Sequence, residues 1–397
     1  MNILMAGVDH TTAAIAERER FTFTKTQMGQ ALTFCRAQAG VTGAVLLCTC
    51  NRTELYLSTH KDAPVNPAAL LTQTAHLRQP AERLLQVHTG KTAARHLMEV
   101  ACGLCSALRG DDQILTQVRQ ALELARAAHS TSSVLETLFR LSVTAAKKVK
   151  TQVQLRAVPV SAAAGAVELL TARLGSLAGR KALVIGNGEM GRLSAELLQK
   201  AGCTVTVTLR SYHHGETVVP YGCLTIPYDS RLHAAAEADI LLSATSSPHF
   251  TLTRDMLQNL PSAPRQCIDL AVPRDIDPTV ADLPGISYAD IDALDKVDHT
   301  VPDEQMQQIL DICTNYLDQF TEWNDGRILR ETADELAQAI EMRVRAELDA
   351  GAGDGDDTAY AVRRAVETMF FSLKEHCTPE LLHVLRQASD TARLRTR

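Results

Sequence analysis

The segment KALVIGNGEMGRLSAELLQKAGCTVTVTLRS, residues 181–211, constrains this chain more than any other stretch. An apolar run at 182–185 leads into Gly186, Gly188 and Gly191, and helical spacing of apolar residues follows. In a G-x-G-x-x-G turn between a strand and a helix, the first glycine makes the tight bend. The second lets a pyrophosphate approach the backbone, and the third lets helix pack on strand. The helix N-terminus adds free N–H groups and a partial positive charge. Without the flanking strand and helix the same spacing would be a bare turn. With them, Gly186, Asn187, Gly188, Glu189, Met190 and Gly191 are the expected dinucleotide loop.

The following strand indicates which dinucleotide. An NAD site usually carries Asp or Glu about 20 residues past the glycines, on the ribose 2′-hydroxyl. Here TVTVTLRS ends in Arg210 and Ser211. A guanidinium and a hydroxyl suit a 2′-phosphate, so NADPH is the expected cofactor. The plainer reading of Arg210 is an exposed arginine at a strand end. Further strands at DILLSAT (239–245) and QCIDLAV (266–272), with a helix at 161–174 before the glycine turn, predict a doubly wound parallel sheet.

The flanks differ in character. MNILMAGVDH (1–10) reads as a strand, and VTGAVLLCTCNRTELYLSTH (41–60) as two strands joined by a loop at 49–53. From 80 to 150 the apolar spacing is helical throughout. From about 302 to 349 it is helical again. Those roughly 47 residues would span about 70 Å, too long for one small domain to cover. GAGDGDD (351–357) reads as a flexible linker. A last helical segment, 360–386, carries Val362, Val366, Met369, Phe370 and Leu373, a small bundle core or a dimer interface, readings that are compatible.

Composition narrows the classes. The 397 residues are enough for two or three domains. No apolar run reaches the ~20 residues of a membrane span, and the N-terminus lacks the pattern of a signal peptide. Ten cysteines without a repeating framework suggest reduced thiols and a cytoplasmic setting. A net charge of −6 argues against a generic nucleic-acid binder while leaving room for a local RNA contact. Lys147, Lys148 and Lys150 read as a solvated helix face, and Arg393, Arg395 and Arg397 as a frayed tail.

Cys48 and Cys50 sit at the mouth of the predicted hairpin. A nicotinamide cofactor and a nucleophilic thiol together suggest a reaction class. Hydride cannot reduce a carboxylate, but an acyl group moved onto a thiolate becomes a thioester that can collapse to an aldehyde. The alternative for both sulfurs is inert burial. If the strand runs on through Cys50 the two share a face, and alternation does not separate them.

TCNRTELY, 49–56, resembles the signature of the glutamyl-tRNA reductase family. VDHTTAAIAERERF (8–21), RHLMEVACGLCSALRGDDQILTQVRQA (95–121), RAVPVSAAAGAVELL (156–170), IGNGEMG (185–191), TSSPH (245–249), IDLAVPRDIDP (268–278) and FTEWNDGR (320–327) follow in the family's order. The resemblance implies an α/β multidomain protein. Its parts would be an α+β catalytic domain at 1–155, a Rossmann-like NADPH domain at 156–300, and a long spinal helix with a helical dimerisation domain at 301–397. It implies NADPH-dependent reduction of glutamyl-tRNA to glutamate-1-semialdehyde, the first step of five-carbon tetrapyrrole synthesis. Cys50 would be the nucleophile and His96 the histidine required for activity. Thr49, Asn51 and Arg52 would contact the glutamyl end, and Ser106, Asp111, Asp112, Gln113 and Gln117 would add further contacts. Chemically, Arg52 suits the γ-carboxylate, Asp111 the α-ammonium, and His96 modest acid help to the leaving ribose oxygen. Partners implied are glutamyl-tRNA, a second copy of the chain and glutamate-1-semialdehyde aminotransferase. No metal is expected, because the CTC and CGLC pairs do not have the spacing of a compact zinc ribbon.

The chain departs from the family pattern in the substrate pocket. The usual serine two before the nucleophile is Cys48. The family's G-L-D-S-x-x-x-G-E-P-Q-I-L is GLCSALRGDDQIL, so Cys105, Arg109, Asp111 and Asp112 are changed. Taken as one helix, that segment puts Cys105 and Asp112 on one face. Shortening Glu to Asp withdraws the carboxylate by about 1.5 Å, and a misplacement of that size can cost about a hundredfold in rate. Weak but real turnover is the expectation. A relative that binds tRNA or a partner without turnover is the alternative.

Overall fold

The computed structural model describes residues 2–77, 81–106, 112–153, 161–210, 219–296 and 303–349, with seven more between 360 and 384. Asp111 and Ser211 lie outside these, as do the expected domain junctions near 155 and 300 and most of the 360–386 segment. Two compact units divide at Thr321 and Glu322.

The first unit begins with β1 (Ile3–Asp9), a short α1 (Ile15–Arg18) and α2 (Lys25–Arg36). The hairpin β2 (Val41–Cys48) and β3 (Arg52–Thr59) comes next, then α3 (Pro67–Thr74), β4 (Gln86–Thr89), α4 (Gly90–Ala101), α5 (Asp112–Ala127) and α6 (Ser133–Gln152). The strands form an antiparallel sheet in the order β2-β3-β1-β4. Strand β3 is internal and buried along nearly its whole length. Its Tyr56 meets Phe139 of α6 edge to face at 5.4 Å.

Two features correct the helical reading of 80–150. Strand β4 interrupts it, a four-residue edge strand with Val87 half exposed. So short a segment has no apolar period to read. The helix also stops before Cys105. Gly103, in the left-handed region at φ 78°, follows the C-cap Cys102 and ends α4 as glycine commonly does at that position. Cys105 and Asp112 therefore do not share one helix face.

The second sheet follows α7 (Ala162–Leu174), whose N-cap Ser161 accepts the Ala164 N–H. Its elements are β5 (Lys181–Ile185), α8 (Glu189–Lys200), β6 (Thr204–Leu209), β7 (Leu224–Pro227), α9 (Arg231–Glu237), β8 (Ile240–Ser243), α10 (Arg254–Gln258), β9 (Gln266–Asp269) and β10 (Ser287–Asp290). All pairs are parallel, in the order β10-β9-β8-β5-β6-β7. The chain winds outward from β5 to β7, then crosses to β8 and winds the other way. Ligands of such sheets bind outside the strand C-termini where the order reverses, here between β5 and β8. The outermost strands β7 and β10 were not legible in the sequence.

Helix α11 (Asp303–Asp349) has the length the spacing predicted. Ile309, Cys313, Leu317 and Phe320 form its buried stripe in the first unit, and the Cys313 thiol faces the Met98 carbonyl of α4 at 3.9 Å. In the second unit the described residues past α11 are helical. No described helix is long and apolar enough to cross a membrane.

Candidate active site

Strand β2 ends at Cys48, and a side chain explains why. The Thr49 hydroxyl accepts the N–H groups of Asn51 (3.2 Å) and Arg52 (3.1 Å), while the Thr49 N–H donates to the Arg52 carbonyl (2.8 Å). This tight turn takes Cys50 out of the strand alternation, so the two sulfurs are in different settings. Cys48 accepts a hydrogen bond from the Thr53 hydroxyl at 3.4 Å, and desolvation raises its thiol pKa. Cys50, half-buried, packs against the apolar cluster of the second sheet, where Met190 and Val272 also lie. No disulfide forms among the nine described cysteines. Among the described residues no three His, Cys, Asp or Glu side chains gather as a metal site.

Beneath this loop, alternation along β3 turns Arg52, Glu54 and Tyr56 to one face. Glu54 is the hub. Its Oε1 accepts from Arg52 Nη1 at 2.6 Å and from His96 Nε2 of α4 at 2.9 Å, and its Oε2 accepts from the Tyr56 hydroxyl at 2.7 Å. Burial alone would raise the Glu54 carboxyl. The Arg52 guanidinium and the bonds from His96 and Tyr56 outweigh it and hold the pKa at about 2. Arg52 also donates through Nη2 to the Cys105 carbonyl, and Asp9 lies 4.0 Å away. The predicted γ-carboxylate anchor thus has partners inside the protein and keeps only part of its N–H fork for a ligand. On the far side of His96, His88 of β4 stacks at 4.8 Å; burial, then the His96 charge, lower its pKa.

Of the other predicted contacts, Asn51 stands next to Cys50, and its Oδ1 is buried with no hydrogen-bond partner. Ser106 is half-buried in the turn after α4, its N–H on the Gly103 carbonyl at 3.4 Å. Asp112 opens α5, and Gln113 and Gln117 are half-buried along it. The sequence reading passed over Glu54, Tyr56, His88 and His10. The Arg-x-Glu-x-Tyr alternation inside an apolar strand was the available signal for the first two. His10 donates its backbone N–H to the Asn51 carbonyl at 3.1 Å, and its Nδ1 is buried without a partner. Burial first, opposed by Asp9 and assisted by Arg52 and Arg18, lowers its pKa.

The glycine turn lies where the sheet order reverses. Gly186 has φ 107°, and a Cβ there would come within 2.4 Å of the Ala244 carbonyl oxygen after β8. A Cβ on Gly191 would come within 2.0 Å of the Gly186 oxygen. Gly188 faces open space and caps α8 without a side chain, so the first turn keeps its N–H groups for an anion. These features fit a bound pyrophosphate. Arg210 follows β6, beside the turn, since the Gly186 N–H donates to Thr208 of the same strand at 3.1 Å. The parallel register sets Pro227 opposite Leu209, which brings Tyr228 alongside Arg210. The Tyr228 ring lies 4.8 Å from the Arg210 guanidinium and 4.3 Å from that of Arg231. Neither Tyr228 nor Arg231 was foreseen.

The fold and site define a dehydrogenase-type Rossmann module joined to an antiparallel α+β module that presents a thiol. Residues 6–153 match the model of the glutamyl-tRNA reductase N-terminal domain, and residues 168–297 that of shikimate/quinate 5-dehydrogenase. A glutamyl-tRNA reductase of Acetivibrio thermocellus is 42% identical over 330 residues, covering 82% of this chain and 98% of that one. A probable multifunctional siroheme biosynthesis protein of Ruminiclostridium josui is also 42% identical, over 82% of this chain; the match spans only 64% of that longer protein. The solved glutamyl-tRNA reductase of Methanopyrus kandleri aligns over 98% of this chain and 97% of its own, at 25% identity and a TM-score of 0.52. The chain belongs to the glutamyl-tRNA reductase family.

Proposed function

We propose that the chain is an NADPH-dependent glutamyl-tRNA reductase that forms glutamate-1-semialdehyde through a thioester on Cys50, the first step of five-carbon tetrapyrrole synthesis. The observation that carries this reading is the place of Cys50. The Thr49 turn lifts it out of the β2–β3 hairpin, and it packs against the cofactor sheet. One sulfur thus adjoins both modules. Its Sγ attacks the ester carbonyl of glutamyl-tRNA, a C–S bond forms, the bond to the ribose oxygen breaks, and that oxygen takes a proton. His96, held by Glu54, is the residue assigned to handle that proton. Bound NADPH supplies the hydride that turns the thioester carbon into an aldehyde as the C–S bond breaks.

The residue types around Cys50 suit a glutamyl group. Arg52 offers its remaining N–H groups and its charge to the γ-carboxylate. The unpartnered Asn51 Oδ1 is an acceptor for the α-ammonium, a role the family resemblance also gives to Asp111, which lies outside the described residues. Thr49 shapes the loop, and Ser106, Asp112, Gln113 and Gln117 are assigned as further substrate contacts. Arg210, steadied on Tyr228, and Ser211 take the 2′-phosphate. Catalytic, cofactor and dimerisation modules are assigned to 1–155, 156–300 and 301–397, with a homodimer as the working form and glutamate-1-semialdehyde aminotransferase as the acceptor of the product.

A single-turnover experiment with charged glutamyl-tRNA and NADPH tests the reading. Wild type and Cys48→Ser should yield semialdehyde, and Cys50→Ser none. Labelled glutamate trapped on Cys48 with Cys50 unlabelled would reverse the assignment, and tRNA binding without product would leave a non-catalytic binder.

A further inference from the structure

Two ion pairs join the thiol module to the cofactor sheet, and the reaction as described uses neither. Arg18 at the end of α1 is almost fully buried. Its Nη2 donates to Asp292 Oδ1 at 2.6 Å and its Nη1 to Asp292 Oδ2 at 3.3 Å, while the Ile15 N–H donates to the same Oδ2 at 3.1 Å. The next residue, Glu19, accepts three bonds from Arg274. The backbone N–H lies at 2.6 Å, and Nε and Nη2 at 2.9 Å each. Both pairs are two-pronged and largely withdrawn from solvent, unlike exposed pairs that hold little.

Their positions in the fold give them meaning. Arg274 lies in the loop after β9, pinned there by the Asp269 carboxylate, which accepts the N–H groups of Ala271 (3.0 Å) and Ile276 (2.8 Å). Asp292 follows β10. Both belong to the C-terminal edge of the sheet, the edge that takes the dinucleotide. On the other side, residues 10–14 connect the pairs to the nucleophile. Arg18 Nη1 donates to the Ala13 carbonyl at 3.0 Å, the Ala13 N–H donates to the Asp9 carbonyl at 3.0 Å, and the His10 N–H reaches Asn51, next to Cys50, at 3.1 Å. Ile15 itself is in the apolar cluster on which Cys50 packs.

We propose that Arg18–Asp292 and Glu19–Arg274 form a positioning clamp that fixes the Cys50 loop against the cofactor edge, so that hydride transfer depends on it while acylation of Cys50 does not. Acylation needs only the thiol module and the tRNA ester. Reduction needs the thioester carbon at the hydride donor, a distance that spans the two modules, and a misplacement of about 1 Å there costs about a hundredfold. This inference rests on the thioester reading of Cys50.

The test separates the two half-reactions in the full-length protein. Asp292→Asn and Arg274→Gln are compared with wild type for tRNA release without NADPH, for semialdehyde release with NADPH, and for NADPH affinity by fluorescence titration. Circular dichroism checks folding. Both variants should release tRNA and bind NADPH within about threefold of wild type. They should form semialdehyde about a hundredfold more slowly, with free glutamate from thioester hydrolysis in its place. Unchanged reduction in a folded variant overturns the clamp, and so does an equal loss of tRNA release and reduction. The exchanged pair Glu19→Arg with Arg274→Glu covers variants that fail to fold. It should restore at least tenfold of the reduction lost by Arg274→Glu alone, and no restoration overturns the proposal. Absence of any acyl-enzyme in wild type would instead remove the thioester reading itself.

Discussion

Replacing Glu54 with glutamine removes one charge from the buried network while nearly keeping its shape. The glutamine carbonyl can still accept from Arg52 and His96, and its amide can donate to the Tyr56 hydroxyl. The charge cannot be kept. The carboxyl falls from 4.5 to about 2 on folding, which at about 1.4 kcal/mol per unit amounts to about 3 kcal/mol carried by the ionised form. Because the folded value lies below the unfolded one, that contribution is complete above about pH 4.5 and drains away as pH falls toward 2. Urea unfolding at pH 7 should therefore show Glu54→Gln less stable than the parent by about 3 kcal/mol, in the range expected when one partner of a buried pair is removed. At pH 4 the gap should narrow by about 1 kcal/mol, because the carboxyl of the unfolded chain takes up a proton there while the folded one stays ionised. A gap of the same size at both pH values, or none at pH 7, would refute the assignment of this stability to the Glu54 charge.

Three further outcomes follow from the cofactor edge and the long helix. Gly191→Ala pushes a Cβ to 2.0 Å from the Gly186 oxygen, so NADPH affinity should fall at least about tenfold, about 1.4 kcal/mol; unchanged affinity by fluorescence titration would contradict the packed turn. NADPH should bind at least about tenfold more tightly than NADH, and Arg210→Ala or Tyr228→Leu should narrow that preference by about 1–2 kcal/mol; equal wild-type affinities would argue against a 2′-phosphate site. Light scattering at micromolar concentration should give the mass of a dimer, and a monomer unaffected by removing residues after 330 would contradict assembly through the C-terminal region.

What the sequence disclosed was mostly local. The β5–α8–β6 unit was legible because its glycines, apolar strand and helical period lie within thirty-one consecutive residues. Strands β4, β7 and β10 escaped because each is four residues at or near a sheet edge, where exposure erases the alternation. The helix stop at Gly103 was written in the sequence, but apolar spacing on both sides concealed it. Alternation could not separate Cys48 from Cys50, because the deciding event is one threonine hydroxyl bending the backbone. Arg52 was read as a free clamp because its partner Glu54 needs the face of β3 and the packing of α4 to be known. Tyr228 needed the register of β6 on β7, which no motif encodes.

The same polar face of β3 also bears on how the sheet assembles. β3 pairs with β1 on one side and β2 on the other, Glu54 standing opposite Gly7 and Leu47. A slip of one residue turns every side chain over. Leu55 and Leu57 would then face His96, while Arg52 and Glu54 would enter the apolar face without the Cys105 carbonyl or His96 to receive them. Stranded charges of that kind cost several kcal/mol each, far more than one misplaced leucine. A misaligned hairpin is thus rejected by the same buried groups that hold His96 and the Cys105 carbonyl in the folded protein. Exchanging them for well-packed apolar residues would leave a strand with a weaker preference for its correct alignment, and a chain more prone to pair in the wrong register as it folds.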